Sequence, residues 1–170
     1  MPIFFEDFER TENSDEIFGV MGRALVIATR FDSMCKTLAR AIDLKFPALL
    51  QRISDSDFES LIEKSKKKYS TLDKSIKKIE LSRDLFVILD DARKARNAVV
   101  HDLAIGLEGC VDTKLDEVGF LSEVSKCIFD LARGEVLISN LIQVFNGEEP
   151  MRSDRILAYR DGVVSWVIEK

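Results

Sequence analysis

The chain has 170 residues, 46% of them hydrophobic and 32% charged, with a formal net charge of −5. This length is typical of one globular domain that buries its own core, and no apolar run approaches the roughly 20 residues that span a bilayer. Three cysteines without paired spacing and a single histidine argue against a disulfide framework, a metal site or a cofactor. The acidic first residues differ from a basic secretory signal, so we expect a cytoplasmic protein that does not contact membranes.

The first half of the chain predicts one long helix behind a short arm. Residues 1–13 are expected to form an N-terminal arm that packs its aromatic side chains on the body or on a partner. A helix is predicted from about residue 14 to residue 45, ending before Pro47, because apolar or small side chains alternate at spacings of three and four. They are Ile17, Met21, Ala24, Ala28, Phe31, Cys35, Leu38 and Ile42. The apolar face is broad, which favours a helical bundle.

The next stretch is basic. Residues 54–68 predict a short capped helix, and residues 69–81 predict another. Eight cations oppose two acids between residues 64 and 83, whereas residues 1–16 carry six acids and one arginine. Lys66, Lys67 and Lys68 are therefore candidates for contacts with an RNA backbone. A solvated helix face is an alternative of equal weight.

A helix that should begin near Ser82 carries the residues with the most distinctive chemistry. Its predicted buried side chains are Leu85, Ile88, Leu89, Ala92, Ala95 and Val99. Its end carries Arg93, Arg96, Asn97 and the only histidine of the chain, His101. Histidine changes its charge near neutral pH, and arginine offers a planar fork of donors to phosphate, so together they suit chemistry on a phosphodiester.

The spacing within this group raises a geometric question. On a regular α-helix at about 100° per residue, His101 would be turned about 140° away from Arg96. Either the helix ends near Val100 and the histidine swings back, or the pair works with a second copy of the chain across a dimer axis. Asn97 would fix the orientation of the imidazole if the helix persists that far.

The last part of the chain predicts a second long helix and a C-terminal extension. Residues 116–146 form the helix, with Gly147 as its stop. Glu135 falls on the apolar seam of this helix, and we favour a solvated seam-edge position over a buried partner for Arg93 or Arg96. Residues 150–170 are expected to form a hairpin around residues 161–162 or another extension, and a helix is the competing interpretation. The fold class is therefore all-α, a bundle over residues 14–147 with a small C-terminal hairpin as an option.

The spacing of Arg96, Asn97 and His101 resembles the R-N-x-x-x-H signature of the HEPN superfamily. The resemblance implies a small helical domain, a metal-independent endoribonuclease and a homodimer. His101 would take the proton of the RNA 2′-hydroxyl, Arg96 would stabilise the charge that develops on phosphorus, and Asn97 would orient the site. Arg93 and the three lysines would bind the substrate.

Members of this family often serve as toxins in toxin-antitoxin or antiphage systems, with an antitoxin or regulatory protein as partner. Leu103 stands where many toxins that pair with a nucleotidyltransferase antitoxin carry a tyrosine. The alternative is a non-catalytic regulatory or interaction module, because the chain is also similar in outline to mannitol-repressor-like proteins. A third interpretation is purely structural, in which Arg96 and Asn97 brace the fold and His101 ends a helix.

Overall fold

The computed structural model describes residues 11–49, 54–103 and 116–169, and most of them lie in six α-helices. The helices are α1 (Glu12–Leu49), α2 (Asp55–Lys68), α3 (Leu72–Lys78), α4 (Arg83–Asn97), α5 (Glu117–Asn146) and α6 (Ser153–Ile168). These described ranges contain no strand, which confirms the predicted all-α fold. Within the same ranges, no helix combines the length and apolar character needed to cross a membrane. Most of the predicted arm, residues 1–10, lies outside the described residues.

Helix α1 is longer at both ends than the sequence predicted. At its start, the backbone N–H of Thr11 donates to Oγ of Ser14 at 2.9 Å, and that of Ser14 donates to Oγ1 of Thr11 at 3.1 Å. This reciprocal pairing satisfies two amides at the start of the helix. The predicted stop before Pro47 is wrong, because the helix continues to Leu49. Proline lacks the backbone donor that would bond to the carbonyl four residues earlier, and the helix continues for only two residues beyond it.

Helix α5 has the bounds that the sequence predicted. The side chain of Asp116 accepts from the amide of Gly119 at the start. At the end, Gly147 adopts a left-handed conformation with φ of 79°, and its amide donates to the carbonyls of Gln143 and Val144. Glycine adopts this conformation without the steric cost that other residues incur.

The core forms where α1, α4 and α5 pack together. A Cβ added to Gly134 of α5 would lie 2.6 Å from Cβ of Ala92 and 2.7 Å from Cε2 of Phe31. Only glycine allows the three helices to approach this closely. The predicted burial is correct for Leu89, Ala92 and Ala95 of α4 and for Val99 just beyond it. Ile88 is partly buried, and Leu85, in the first turn of α4, is 37% exposed.

The C-terminal hairpin is wrong, and the competing helix is what the structure contains. Helix α6 runs through both residues of the expected turn, Asp161 and Gly162, and packs on α5 and α1. Its inward side carries Val167, which is fully buried, and Val163, which is partly buried. A hairpin of this length is marginal by itself, whereas a helix buries these side chains against two existing helices.

Candidate functional site

The helix that carries the motif changes its geometry directly after Asn97. Residues Ala98–Asp102 form a π-helical turn, in which the amide of Leu103 donates to the carbonyl of Ala98 at 2.9 Å. The helix therefore does not end near Val100, as one of our two predicted geometries required. A π-turn closes its ring over five residues, so the position five residues after Arg96 returns closer to the face of Arg96 than it would on an α-helix.

Two of the three motif residues, Arg96 and Asn97, line one cleft of about 280 Å³ together with Arg93. Arg93, Arg96 and Asn97 form its α4 side, and Asp32 and Lys36 of α1 form the opposite side. Residues 70–73, at the start of α3, close one end. His101 is exposed and is not among the residues that line the cleft. The structure therefore groups the arginines and the asparagine, and places the histidine one turn further along.

Arg96 is held from two directions. Its Nη1 donates to Oδ1 of Asn97 at 3.2 Å, and its Nη2 lies 3.8 Å from Oδ2 of Asp32. The same Asp32 oxygen accepts from Nζ of Lys36 at 2.7 Å. Oδ1 of Asp32 and Nε of Arg96 are buried, and neither has a hydrogen-bond partner in the described part of the chain. The guanidinium is positioned, but the cluster keeps unused hydrogen-bonding capacity.

Arg93 and Asn97 have partners that the sequence did not indicate. Nε and Nη2 of Arg93 donate to Oδ1 of Asp90, at 2.9 and 2.7 Å. Nζ of Lys94 lies 2.8 Å from the other oxygen of Asp90, and the hydrogen bonds from Lys94 and Arg93 lower the pKa of this carboxyl. The side chain of Asn97 accepts from Arg96, and no hydrogen bond joins it to His101 in the described part of the chain. Asn97 therefore orients the arginine and not the imidazole in this structure.

The three predicted substrate-binding lysines are exposed on the last turn of α2, outside the lining of the cleft. Lys66 pairs with Glu63 at 2.6 Å, and Lys68 pairs with Asp43 of α1 at 2.8 Å. Local acids thus balance part of the positive charge that the sequence concentrates here. The lysines still precede Ser70, a lining residue, by only a few positions.

Glu135 is buried, contrary to the solvated position that we favoured, and only 1% of it is exposed. Its partners are also not Arg93 or Arg96. The hydroxyl of Tyr159 donates to Oε2, and Nε of Arg30 lies 3.3 Å from Oε1 without the geometry of a hydrogen bond. Burial raises the pKa of the Glu135 carboxyl, although the hydrogen bond from Tyr159 and the charge of Arg30 oppose this.

The sequence analysis also missed Asp32 and Lys36, which face the motif from α1. An acid followed four residues later by a lysine is a recognisable helical pair, and this signal marks a polar strip beside the apolar seam. It does not reveal which helix lies opposite that strip. Only the packing of α1 near α4 brings the pair to Arg96.

Within residues 11–49, 54–103 and 116–169, no group of three or more histidine, cysteine, aspartate or glutamate side chains could hold a metal ion.

Comparison with protein-family models, curated proteins and solved structures finds no match for this chain. The function must therefore be inferred from the chemistry of the residues themselves.

Proposed function

We propose that the protein is a metal-independent endoribonuclease of the HEPN type. The observation that supports this best is the π-helical turn between Arg96 and His101. Such turns are rare and occur frequently at functional sites. Here the turn follows an arginine that Asp32 and Asn97 hold in place, and it contains the only histidine of the chain, which is exposed.

The reaction is an internal transfer at phosphorus. The imidazole of His101 takes the proton of the 2′-hydroxyl, the 2′-oxygen bonds to the adjacent phosphorus, and the bond from phosphorus to the 5′-oxygen breaks. The products are a 2′,3′-cyclic phosphate and a 5′-hydroxyl. Arg96 donates to the phosphoryl oxygens on which negative charge develops. Asp32 and Asn97 hold the guanidinium, so less of its freedom is lost when the substrate arrives.

The departing 5′-oxygen needs a proton, and each chain has one histidine. A protonated His101 from a second copy supplies it if the protein is a homodimer with Arg96 and His101 near the two-fold axis. RNA would lie along Arg93 and the lysines of α2. A nuclease of this kind would act as a toxin or an antiphage component, and an antitoxin or regulatory protein would hold it inactive.

A non-catalytic regulatory module is the second candidate. The observation that favours it is the pairing of the motif cations with carboxylates of the chain itself, Arg93 with Asp90 and Arg96 with Asp32. Ion pairs of this kind also brace helices without any role in catalysis. The two candidates differ in whether RNA is cleaved.

An assay of purified protein with single-stranded RNA in EDTA distinguishes the two candidate functions. We expect the wild type to cleave without metal and to leave a cyclic phosphate, and a substrate with 2′-deoxy sugars to remain intact. His101→Ala and Arg96→Ala should each lose about a hundredfold or more of the rate while staying folded. The control is Arg133→Ala, an arginine of α5 that is 40% exposed and lies outside the cleft, which should keep full activity. Intact RNA with the wild type would favour the regulatory module.

The shared site has its own test. Sedimentation should show a dimer at micromolar concentration. If the protein is a monomer at high micromolar concentration and still cleaves RNA, a histidine from a second copy does not supply the proton. The rest of the mechanism would be unaffected.

A further inference from the structure

A second cavity, a groove of about 460 Å³, lies between α1 and α6. This volume is within the range of small-molecule sites. Its walls are mostly apolar and include Val26 and Trp166, whose exposed fractions are 56% and 51%. Its polar side chains are Arg30 and Tyr159. An aromatic and apolar surface with a few converging polar groups is the usual composition of a ligand site.

The buried side chain of Glu135 positions the polar end of the groove. The buried carboxylate of Glu135 accepts from the hydroxyl of Tyr159 and contacts Nε of Arg30. The side chain of Arg30 is 53% exposed, and no hydrogen bond engages its two terminal nitrogens in the described part of the chain. The result is a guanidinium whose Nε faces an acid and whose remaining donors are available at the edge of an apolar groove. Such donors are complementary to an anion.

Gly162 has no side chain to fill its part of the groove. It lies within α6 and lines the groove, and no atom lies within 4 Å of the position that a Cβ would occupy. Alanine would fit there and would be the better helix former, so packing inside the chain does not explain the glycine. A glycine in a helix allows another molecule to approach the backbone closely.

We propose that this groove binds a small amphipathic carboxylate. The apolar body lies on Trp166 and Val26 and passes over Gly162, and the carboxylate accepts from the terminal nitrogens of Arg30. The planar guanidinium matches a carboxylate with two parallel hydrogen bonds. An amphipathic cation is disfavoured because no described carboxylate lines the groove, and that of Glu135 is buried and already engaged by Arg30 and Tyr159. This inference is independent of the proposed nuclease.

Trp166 is the single tryptophan of the chain and lines the groove, so its fluorescence reports binding there. The intact protein is titrated with decanoate below its micelle concentration, and separately with decan-1-ol and decylamine, while indole emission is recorded. We expect a saturable blue shift with decanoate at a Kd below about 1 mM, and binding at least about tenfold weaker for the neutral and cationic chains. Calorimetry repeats each titration independently of the indole.

Two variants locate the ligand. Gly162→Leu fills the groove with a side chain that α6 can accommodate, and it should abolish binding. The matched control is Gly22→Leu, at a glycine of α1 that also has no atom near its Cβ position but does not line the groove, and it should bind as the wild type does. Arg30→Gln should reduce decanoate binding to the level of decan-1-ol. No saturable binding, equal affinity for the acid and the alcohol, or unchanged binding in Gly162→Leu would each overturn the proposal.

Discussion

Asp43→Asn should destabilise the protein because one carboxylate joins α1 to the end of α2 and the end of α3. Its oxygens accept from the hydroxyl of Tyr69 at 2.6 Å and lie 2.8 and 3.0 Å from Nζ of Lys68 and Lys78. Burial alone would raise the pKa of Asp43, but the hydrogen bonds from these three donors outweigh it and lower the pKa to about 2 from an ordinary value of 3.8. The folded state therefore favours the charged form.

The size of the effect follows from this difference in pKa. Taken in full, it corresponds to about 2 kcal/mol of folding free energy at about 1.36 kcal/mol per pKa unit. The side chains of Lys68 and Lys78 are 60% and 31% exposed, so water and salt screen part of the attraction. We expect a loss of about 1–2 kcal/mol at pH 7. Asparagine can still accept from Tyr69, so the variant removes mainly the charge.

The pH dependence has a definite sign. A carboxyl whose pKa is lowered by folding contributes its full stability above the unfolded value, and the contribution is lost as the pH falls towards the folded value. The difference between the wild type and Asp43→Asn should therefore be constant above about pH 5, fall to about half near pH 3, and nearly vanish near pH 2.

Urea unfolding at several pH values measures this difference. Asp73→Asn is the control, because Asp73 forms an exposed ion pair with Lys77, and such pairs contribute little. Equal stability of the wild type and Asp43→Asn at pH 7, or a difference that persists at pH 2, would show that the reasoning is wrong.

Three further changes give expected outcomes. Gly134→Ala should cost about 1–3 kcal/mol in urea unfolding, since its Cβ would overlap Phe31, and a cost near zero would contradict the close approach of the helices. Glu80→Gly should stabilise the protein by up to about 1 kcal/mol in the same assay, because Glu80 has a φ of 49°, and a clear loss would exclude strain at this position. Reversal of Lys66, Lys67 and Lys68 to glutamate should weaken RNA binding and reduce its salt slope by roughly one per lost contact, whereas an unchanged slope would favour the solvated helix face.

Helix bounds could be predicted from the sequence where the signals are local. Asp116 and Gly147 mark the two ends of α5, and Ser54 and Ser82 immediately precede α2 and α4. Ser54 and Asp116 act through a side-chain cap and Gly147 through a left-handed turn, whereas Ser82 makes no side-chain cap hydrogen bond. In the C-terminal segment a local signal fails. The sequence favours a turn at residues 161–162, but the apolar face of the segment is buried on two helices that are distant in sequence, and this burial decides the structure.

The motif selects residues but does not predict their geometry. The motif identified Arg96 and Asn97, and the structure places them side by side. The π-turn after Asn97 has no marker in the sequence that we could recognise, and it alters the angle to His101 on which the wheel argument depended. Asp32 is distant in sequence from Arg96, so their pairing depends on how the helices pack.

Helix α1 carries charged side chains on two sides. Arg30 and Asp32 are two positions apart, so they point roughly 200° apart at about 100° per residue. One meets Glu135 and the other meets Arg96. Replacing such pairs with apolar residues is often neutral or stabilising, and a buried polar atom without a partner, such as Oδ1 of Asp32, costs about 1–3 kcal/mol. Both clusters are therefore candidates for ligand contacts, which we propose to be RNA on the side of Arg96 and an amphipathic anion on the side of Arg30.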